Sequence, residues 1–359
     1  IGADYAEPTE LLRALLKAQV DLLWFGGIGT FVKASGESNA DAGDKANDAV
    51  RIDGRDVRAQ VVGEGANLGF TQAGRIEYAR GGGRINTDAI DNSAGVDTSD
   101  HEVNLKILLN VGATTGEIKA GERDALLARM TDDVAALVLA DNYNQSQALS
   151  IAQSGGYWES DAYGRFMRSL ERDGRLNRTV EGLPSNDVLR ERANRQEGLT
   201  RPELAVLLAY AKLQLFDELN ASTLPDDPFF VATLKDYFPR EAGDRFPKAM
   251  AAHRLKREIV ATCLSNDIVN RGGPVFAHRL KEASAAEAPA LARAYTIALH
   301  AFGIDSLAAR INALDNKIPA AVQVGMHTKL GLHLLRQTLW FHRHVKASVL
   351  LAEAIAPYA

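Results

Sequence analysis

Between Asp91 and Glu102 the chain reads Asp-Asn-Ser-Ala-Gly-Val-Asp-Thr-Ser-Asp-His-Glu, followed at once by the apolar run Val103 to Leu109. Amide, hydroxyl, carboxylate and imidazole groups thus crowd into one short stretch. Read as a polar loop that opens a helix, it turns side chains and free backbone N–H groups toward one point, as an anionic or nucleotide ligand requires. Two glycine turns lie upstream: Gly63-Glu64-Gly65-Ala66-Asn67-Leu68-Gly69 after Val61-Val62, and Gly26-Gly27-Ile28-Gly29 after Val20 to Phe25. Neither is a G-x-G-x-x-G: the first has one residue too many and the second is too compressed. Taken singly, each is at least as well explained as a plain turn. Two such turns following two strands predict a crevice at the end of an α/β sheet.

Other chemistry is weaker. His101-Glu102 begins like a zinc-protease H-E-x-x-H motif but lacks the second histidine, so no metal site is expected there. His342 and His344 flank Arg343 and point to different helical faces. No G-x-S-x-G is present, and Cys263 sits in an apolar helical pattern as an inert core thiol. Ser99 could bind a ligand or merely cap a helix. Asp91, Asp97 and Asp100 could move protons or simply answer a helix dipole.

The elements that must hold these groups follow from pattern. Val20 to Phe25 reads as a strand buried on both faces, Val57 to Val62 as a second and Arg84 to Thr87 as a third. Pro8 to Ala18 and Thr71 to Arg80 read as helices, with Gly81-Gly82-Gly83 ending the latter. Ala34 to Asp53 is a polar excursion with a short helix around Lys45 to Val50. Strand, loop, helix, strand is the rhythm of a parallel sheet. From Glu117 onward nearly everything reads helical. Thr200-Arg201-Pro202-Glu203 is a capping box, Asp226-Asp227-Pro228 starts a helix that Pro239 ends, and Leu255, Ile259, Val260, Cys263, Leu264 and Ile268 share one helical face. Ala320 to Ala356 is one long helix or two, broken near Gly331. The fold class is therefore α/β plus all-α: a partial Rossmann-like parallel sheet over residues 1–115 and a helical domain over 116–359.

With 359 residues and 46% hydrophobic content, two domains with packed cores are expected. A net charge of −5 implies no broad basic face for nucleic acid. One cysteine excludes an internal disulfide framework. No apolar run reaches the roughly 20 residues that span a bilayer, and no signal or transit segment is visible, so the cytoplasm is the expected location. The chain starts at Ile1 as though in mid-domain, which reads as a piece of a longer polypeptide.

Three segments, Asp21 to Lys33 (DLLWFGGIGTFVK), Val61 to Thr71 (VVGEGANLGFT) and Arg84 to Leu108 (RINTDAIDNSAGVDTSDHEVNLKIL), resemble the very large bacterial NAD-specific glutamate dehydrogenases. The resemblance continues through LTRPELAVLLAY at Leu199 to Tyr210, DYFP at Asp236 to Pro239 and HRLKREIVATCLSNDIVNR at His253 to Arg271, covering essentially the whole chain as the C-terminal part of such an enzyme. It implies oxidation of L-glutamate by NAD and water to 2-oxoglutarate, ammonium and NADH.

Smaller glutamate dehydrogenases carry an E-G-A-N-x-P-T turn beside the nicotinamide, similar to Glu64-Gly65-Ala66-Asn67 with Thr71. Leu68-Gly69-Phe70 here replaces the shorter path through Pro. Their N-A-G-G-V-x-x-S pattern is similar to Asn92 through Ser99, with Ala94 in place of a first Gly. The resemblance implies that Asn92 lies near the carboxamide and substrate and that Ser99 binds the substrate side-chain carboxylate. Gly26, Gly27, Glu64, Gly65, Asn67 and Asn92 are then the NAD-binding candidates, and Gly26 and Gly27 would let the dinucleotide approach the backbone. The family's catalytic Lys and Asp and its dinucleotide fingerprint match nothing here, so no catalytic residue and no metal is expected in this chain, and alone it should be inactive. The helical part is expected to pack a homo-oligomer. The alternative is a non-catalytic assembly or regulatory module whose glycine turns are structural.

Overall fold

The structure, a computed structural model, describes residues 5–119 and 121–358. The backbone packs as two units, one of residues up to 94 with 155–207, the other of residues 95–154 with 208 onward. Residues 155–207, helical as their sequence predicts, thus pack with the sheet-bearing residues.

The first unit carries four short strands: β1 (Leu22–Phe25), β2 (Val32–Lys33), β3 (Ile52–Asp53) and β4 (Val61–Glu64). β1 pairs parallel with β4, Leu22 opposite Val61 and Phe25 opposite Glu64. β2 pairs parallel with β3. Arg84 extends the first pair through a single parallel bridge to Val61, where a full third strand was expected. Gly81–Gly83 leads into it directly and Thr87 begins the Asp88–Asp91 helix, so too few residues remain extended to build a ladder.

A small aromatic and aliphatic core lies under the strands: Phe25, Val32, Ile52, Val62, Phe70, Tyr78 and Ile85. The Phe25 and Phe70 rings meet edge to face at 5.5 Å, and the Tyr78 hydroxyl donates to the Ala59 carbonyl at 2.7 Å. The expectation that β1 is buried on both faces is not met: Leu22 and Trp24 are more than half exposed. Alternate residues of a strand point to opposite faces, and among the described residues the core covers the face of Leu23 and Phe25.

The Gln72–Arg80 helix starts where its sequence predicts, Thr71 Oγ1 accepting the Gly74 N–H at 3.0 Å. The polar excursion holds a 3-10 turn at Lys45–Asn47 in place of a longer helix. The capping box at Thr200 forms as read: the Glu203 carboxylate accepts the Thr200 N–H and hydroxyl, each at 2.7 Å.

The regular elements described in the second unit are all helices. The Lys256–Gly272 helix buries Ile259, Val260, Leu264 and Ile268, the face the sequence predicts. A short helix, Val231–Tyr237, ends just before Pro239, and the Asp227 side chain caps the turn before it through the Phe229 N–H at 2.9 Å. The Ala320–His344 helix runs unbroken through Gly331. A Cβ at Gly331 would sit 3.0 Å from the Arg271 carbonyl, so this glycine marks a close helix approach, not a break.

Candidate functional site

In the first unit β1 and β4 run parallel and in register, so both C-terminal ends reach the same edge of the sheet. The Gly26-Gly27 turn leaves one end and the Gly65-to-Gly69 turn leaves the other. The Ala66 N–H donates to the Phe25 carbonyl at 3.0 Å and ties them together. The Trp24 indole lies across β4: a Cβ at Gly63 or Gly65 would fall 2.5 or 2.3 Å from its ring. A side chain at either position would have to displace that ring, so glycine here has a reason internal to the fold. Gly26 and Gly27 are exposed, and a Cβ on Gly27 would meet nothing within 4 Å, which leaves open space above that turn.

Glu64 does not face this opening. Its carboxylate is fully buried and forks onto Arg75, Oε2 to Nε at 2.7 Å and Oε1 to Nη2 at 2.9 Å, while Oε1 also accepts the Phe70 N–H at 3.0 Å. Burial pushes the Glu64 carboxyl up, against the pull of Arg75. Its backbone N–H donates to Asp91 Oδ2 at 3.0 Å, and Asp91 Oδ1 accepts from Asn86 at 2.7 Å. Asp91 is thereby occupied in holding the turn, and burial raises its carboxyl as well. Asp88 bonds the Leu68 N–H at 2.9 Å and Arg75 at 3.1 Å. Leu68 itself takes the left-handed conformation, φ 64°, so the extra residues Leu68-Gly69 are accommodated by a strained backbone position.

At the mouth of the turn, the Asn92 amide donates to the Asn67 side-chain oxygen. Six candidate residues, Gly26, Gly27, Glu64, Gly65, Asn67 and Asn92, therefore gather at one sheet edge, with Glu64 as the buried support.

Ser99 is placed otherwise. The stretch expected to be a loop is helical on both sides of Asn92: Asp88–Asp91 is one helix and Ser93–Thr114 another. Ser99 is exposed in the second turn of that helix and its hydroxyl donates to the Gly95 carbonyl at 3.2 Å. It is neither an N-cap nor beside the free N–H groups of the helix start. Ser, Gly, Val and Thr are weak helix formers, but burial of Leu105, Leu108 and Leu109 anchors the helix downstream and the polar turns propagate from it.

The second unit contains a cavity of about 430 Å³ lined by Asp97, Asp141, Tyr237, Cys263, Asp267 and Arg271 among others. Sequence reading missed it, because its walls come from distant helices. Beside it His101, 3% exposed, stacks on Tyr237 with ring centroids 4.4 Å apart. Burial raises the carboxyls of Asp97 and Asp141 and lowers the Lys212 ammonium to about 8. Asp267 accepts from Tyr295 and Arg271, each at 2.6 Å. The one local signal for this region was the i, i+4 spacing of Asp97 with His101 and of Asp267 with Arg271.

Burial pushes the Cys263 thiol up to about 12. At pH 8 it should hold roughly 1000-fold less thiolate than an exposed cysteine. Native protein is expected to resist iodoacetamide at Cys263 at pH 8 and to react fully once denatured. Labelling followed by mass spectrometry checks this, and rapid native alkylation would contradict the raised thiol.

Comparison with known proteins agrees over both parts of the chain. Residues 1–152 match the family described as bacterial NAD-glutamate dehydrogenase, catalytic domain. Residues 196–359 match that described as glutamate dehydrogenase, C-terminal. The chain is 48% identical over 358 residues to the NAD-specific glutamate dehydrogenase of Pseudomonas aeruginosa, covering 100% of the chain and 22% of that protein. It is 49% identical over 343 residues to that of Halomonas elongata, covering 96% and 21%. With that of Mycobacterium tuberculosis it shares 44% over 328 residues, covering 91% and 20%. The chain spans about a fifth of the length of these relatives. With both of its parts matched to glutamate dehydrogenase families and its whole length aligned at nearly half identity, the chain belongs to the bacterial NAD-specific glutamate dehydrogenases.

Proposed function

We propose that the protein carrying this chain oxidises L-glutamate to 2-oxoglutarate and ammonium with NAD, and that the sheet edge in the first unit receives the nicotinamide end of the cofactor as the rear part of a Rossmann-like domain. The observation that carries this reading is the convergence of two glycine turns at the C-terminal ends of two parallel strands, the place where open α/β sheets take their ligands. The residues fit a dinucleotide: Gly26 and Gly27 leave a bare backbone open to approach, and the Asn67–Asn92 pair offers the donor and acceptor that a carboxamide needs. The chemistry supplied by bound NAD is hydride acceptance from the α-carbon. Asn92 orients the carboxamide, Asn67 holds Asn92, and Glu64 positions the turn from beneath. Ser99 donates its hydroxyl to the substrate side-chain carboxylate, a role that rests on the likeness of Asn92 through Ser99 to the glutamate dehydrogenase pattern. The general base lies outside these residues, so the chain alone is inactive. Assembly into a homo-oligomer through helical surfaces is supported by apolar side chains left exposed along Ala320–His344, among them Val322, Met326 and Trp340. Its location is taken as the cytoplasm.

The test is kinetic, in the full-length polypeptide. A hydrogen bond to a charged group contributes about 1.5–3 kcal/mol, so Ser99→Ala should raise the glutamate KM about 10–100-fold with a smaller change in kcat. Asn92→Ala should weaken NAD binding. Unchanged kinetics in both, with folding intact, would overturn the reading in favour of a non-catalytic module.

A further inference from the structure

Asp97 and His101 stand four residues apart on the Ser93–Thr114 helix, so both project from one face. Asp141 comes from another helix, Thr131–Ser154. One ligating atom from each of the three lies within 4.8 Å of the other two. His101 Nε2 stands 3.8 Å from Asp97 Oδ1, too far for a hydrogen bond and close to the spacing of two donors around a shared ion. His101 is 3% exposed, yet neither ring nitrogen has a hydrogen-bond partner. Buried polar atoms are nearly always satisfied, and an orphaned imidazole beside two carboxylates calls for a ligand that accepts lone pairs.

We propose that Asp97, His101 and Asp141 form a binding site for a divalent first-row transition cation of the zinc type. One nitrogen and two oxygen donors suit such an ion better than magnesium or calcium, which prefer oxygen alone. Two carboxylates balance its charge. The neutral imidazole is the form that ligates. Donors bonded at about 2.0–2.2 Å sit roughly 3–4 Å apart, so atoms that lie within 4.8 Å of one another close in slightly, with Asp141 the member to move. It is the exposed member of the three and free to do so. Asp97 and Asp141 line the cavity described above, which gives the ion a path and room for water as further ligands. Lys212 is the neighbouring cation and is attracted by both carboxylates, so a bound ion shares them with its amine. The site does not depend on the proposed reaction.

The experiment uses the full-length protein, stripped by chelator and dialysed. Zn²⁺ is titrated calorimetrically with metal content checked by mass spectrometry, and Co²⁺ is followed by its visible absorption. One equivalent per chain is expected. Asp141→Asn, at an exposed position that leaves the fold undisturbed, and His101→Gln should each weaken binding by more than the roughly 10–100-fold that loss of an outer-shell partner costs. Substoichiometric binding, binding by both variants as tight as by the parent, or binding of Mg²⁺ but not Zn²⁺ would overturn the proposal.

Discussion

Arg75→Met is expected to destabilise the first unit by about 3–5 kcal/mol, the cost of leaving one member of a buried ion pair without the other. The Glu64 carboxylate is fully buried and takes two hydrogen bonds from Arg75 against one from the Phe70 N–H. Without the guanidinium, the carboxyl must either stay charged in an apolar setting or take up a proton and give up the strength of its remaining contact. Asp88 loses its ion pair at the same time and holds the Leu68 N–H less firmly. The turn from Glu64 to Phe70 should loosen first, before the rest of the unit unfolds. Hydrogen exchange at residues 61–80 measures this directly, and faster exchange there should accompany weaker NAD binding in the intact protein. Replacing both Glu64 and Arg75 with methionine should cost less than the single change, because no lone charge is then left buried. Exchange in Arg75→Met that matches the parent would contradict the pair's role.

Glu203→Ala should be comparably severe. This carboxylate is also fully buried, with two contacts to Arg192 Nη1 at 2.7 and 3.0 Å. It accepts the Thr200 N–H and hydroxyl besides. Truncation strands the Arg192 guanidinium, itself 8% exposed, and uncaps the helix that begins at Arg201. The ion-pair loss costs about 3–5 kcal/mol and the cap about 1 kcal/mol more. Glu203→Gln keeps an acceptor for Thr200 and should recover part of the loss. Urea unfolding followed by exchange at residues 186–207 separates the two contributions. Equal stability of the alanine and glutamine variants would mean that the cap contributes nothing.

These two sites also mark how far the chain could be read before its tertiary contacts were known. Thr200 and Glu203 declared themselves because their interaction spans three residues, and any helix begun there would make it. Arg192 could not be named as the partner, since its contact depends on how two helices pack. The glycines at 63 and 65 read only as part of a polar turn; their cause is the Trp24 ring lying across them from the paired strand. Ser99 was placed at a helix start because Ser, Gly and Asp favour caps locally. The helix instead begins six residues earlier, carried by leucines farther along it.

What residue order alone settled were features of short range: the helix near Thr71 to Arg80, the helix cap at Thr200, the apolar face of Lys256–Gly272, the two turns that follow strands, and the family to which their motifs point. Tertiary structure decided the rest: that Glu64 turns inward to Arg75, that Asn67 meets Asn92, and that Asp141 comes beside Asp97 and His101. The division has a physical cause. Caps and periodic faces depend on neighbours a turn away, whereas a buried charge or an orphaned imidazole acquires its meaning from groups that only folding brings within a few ångströms.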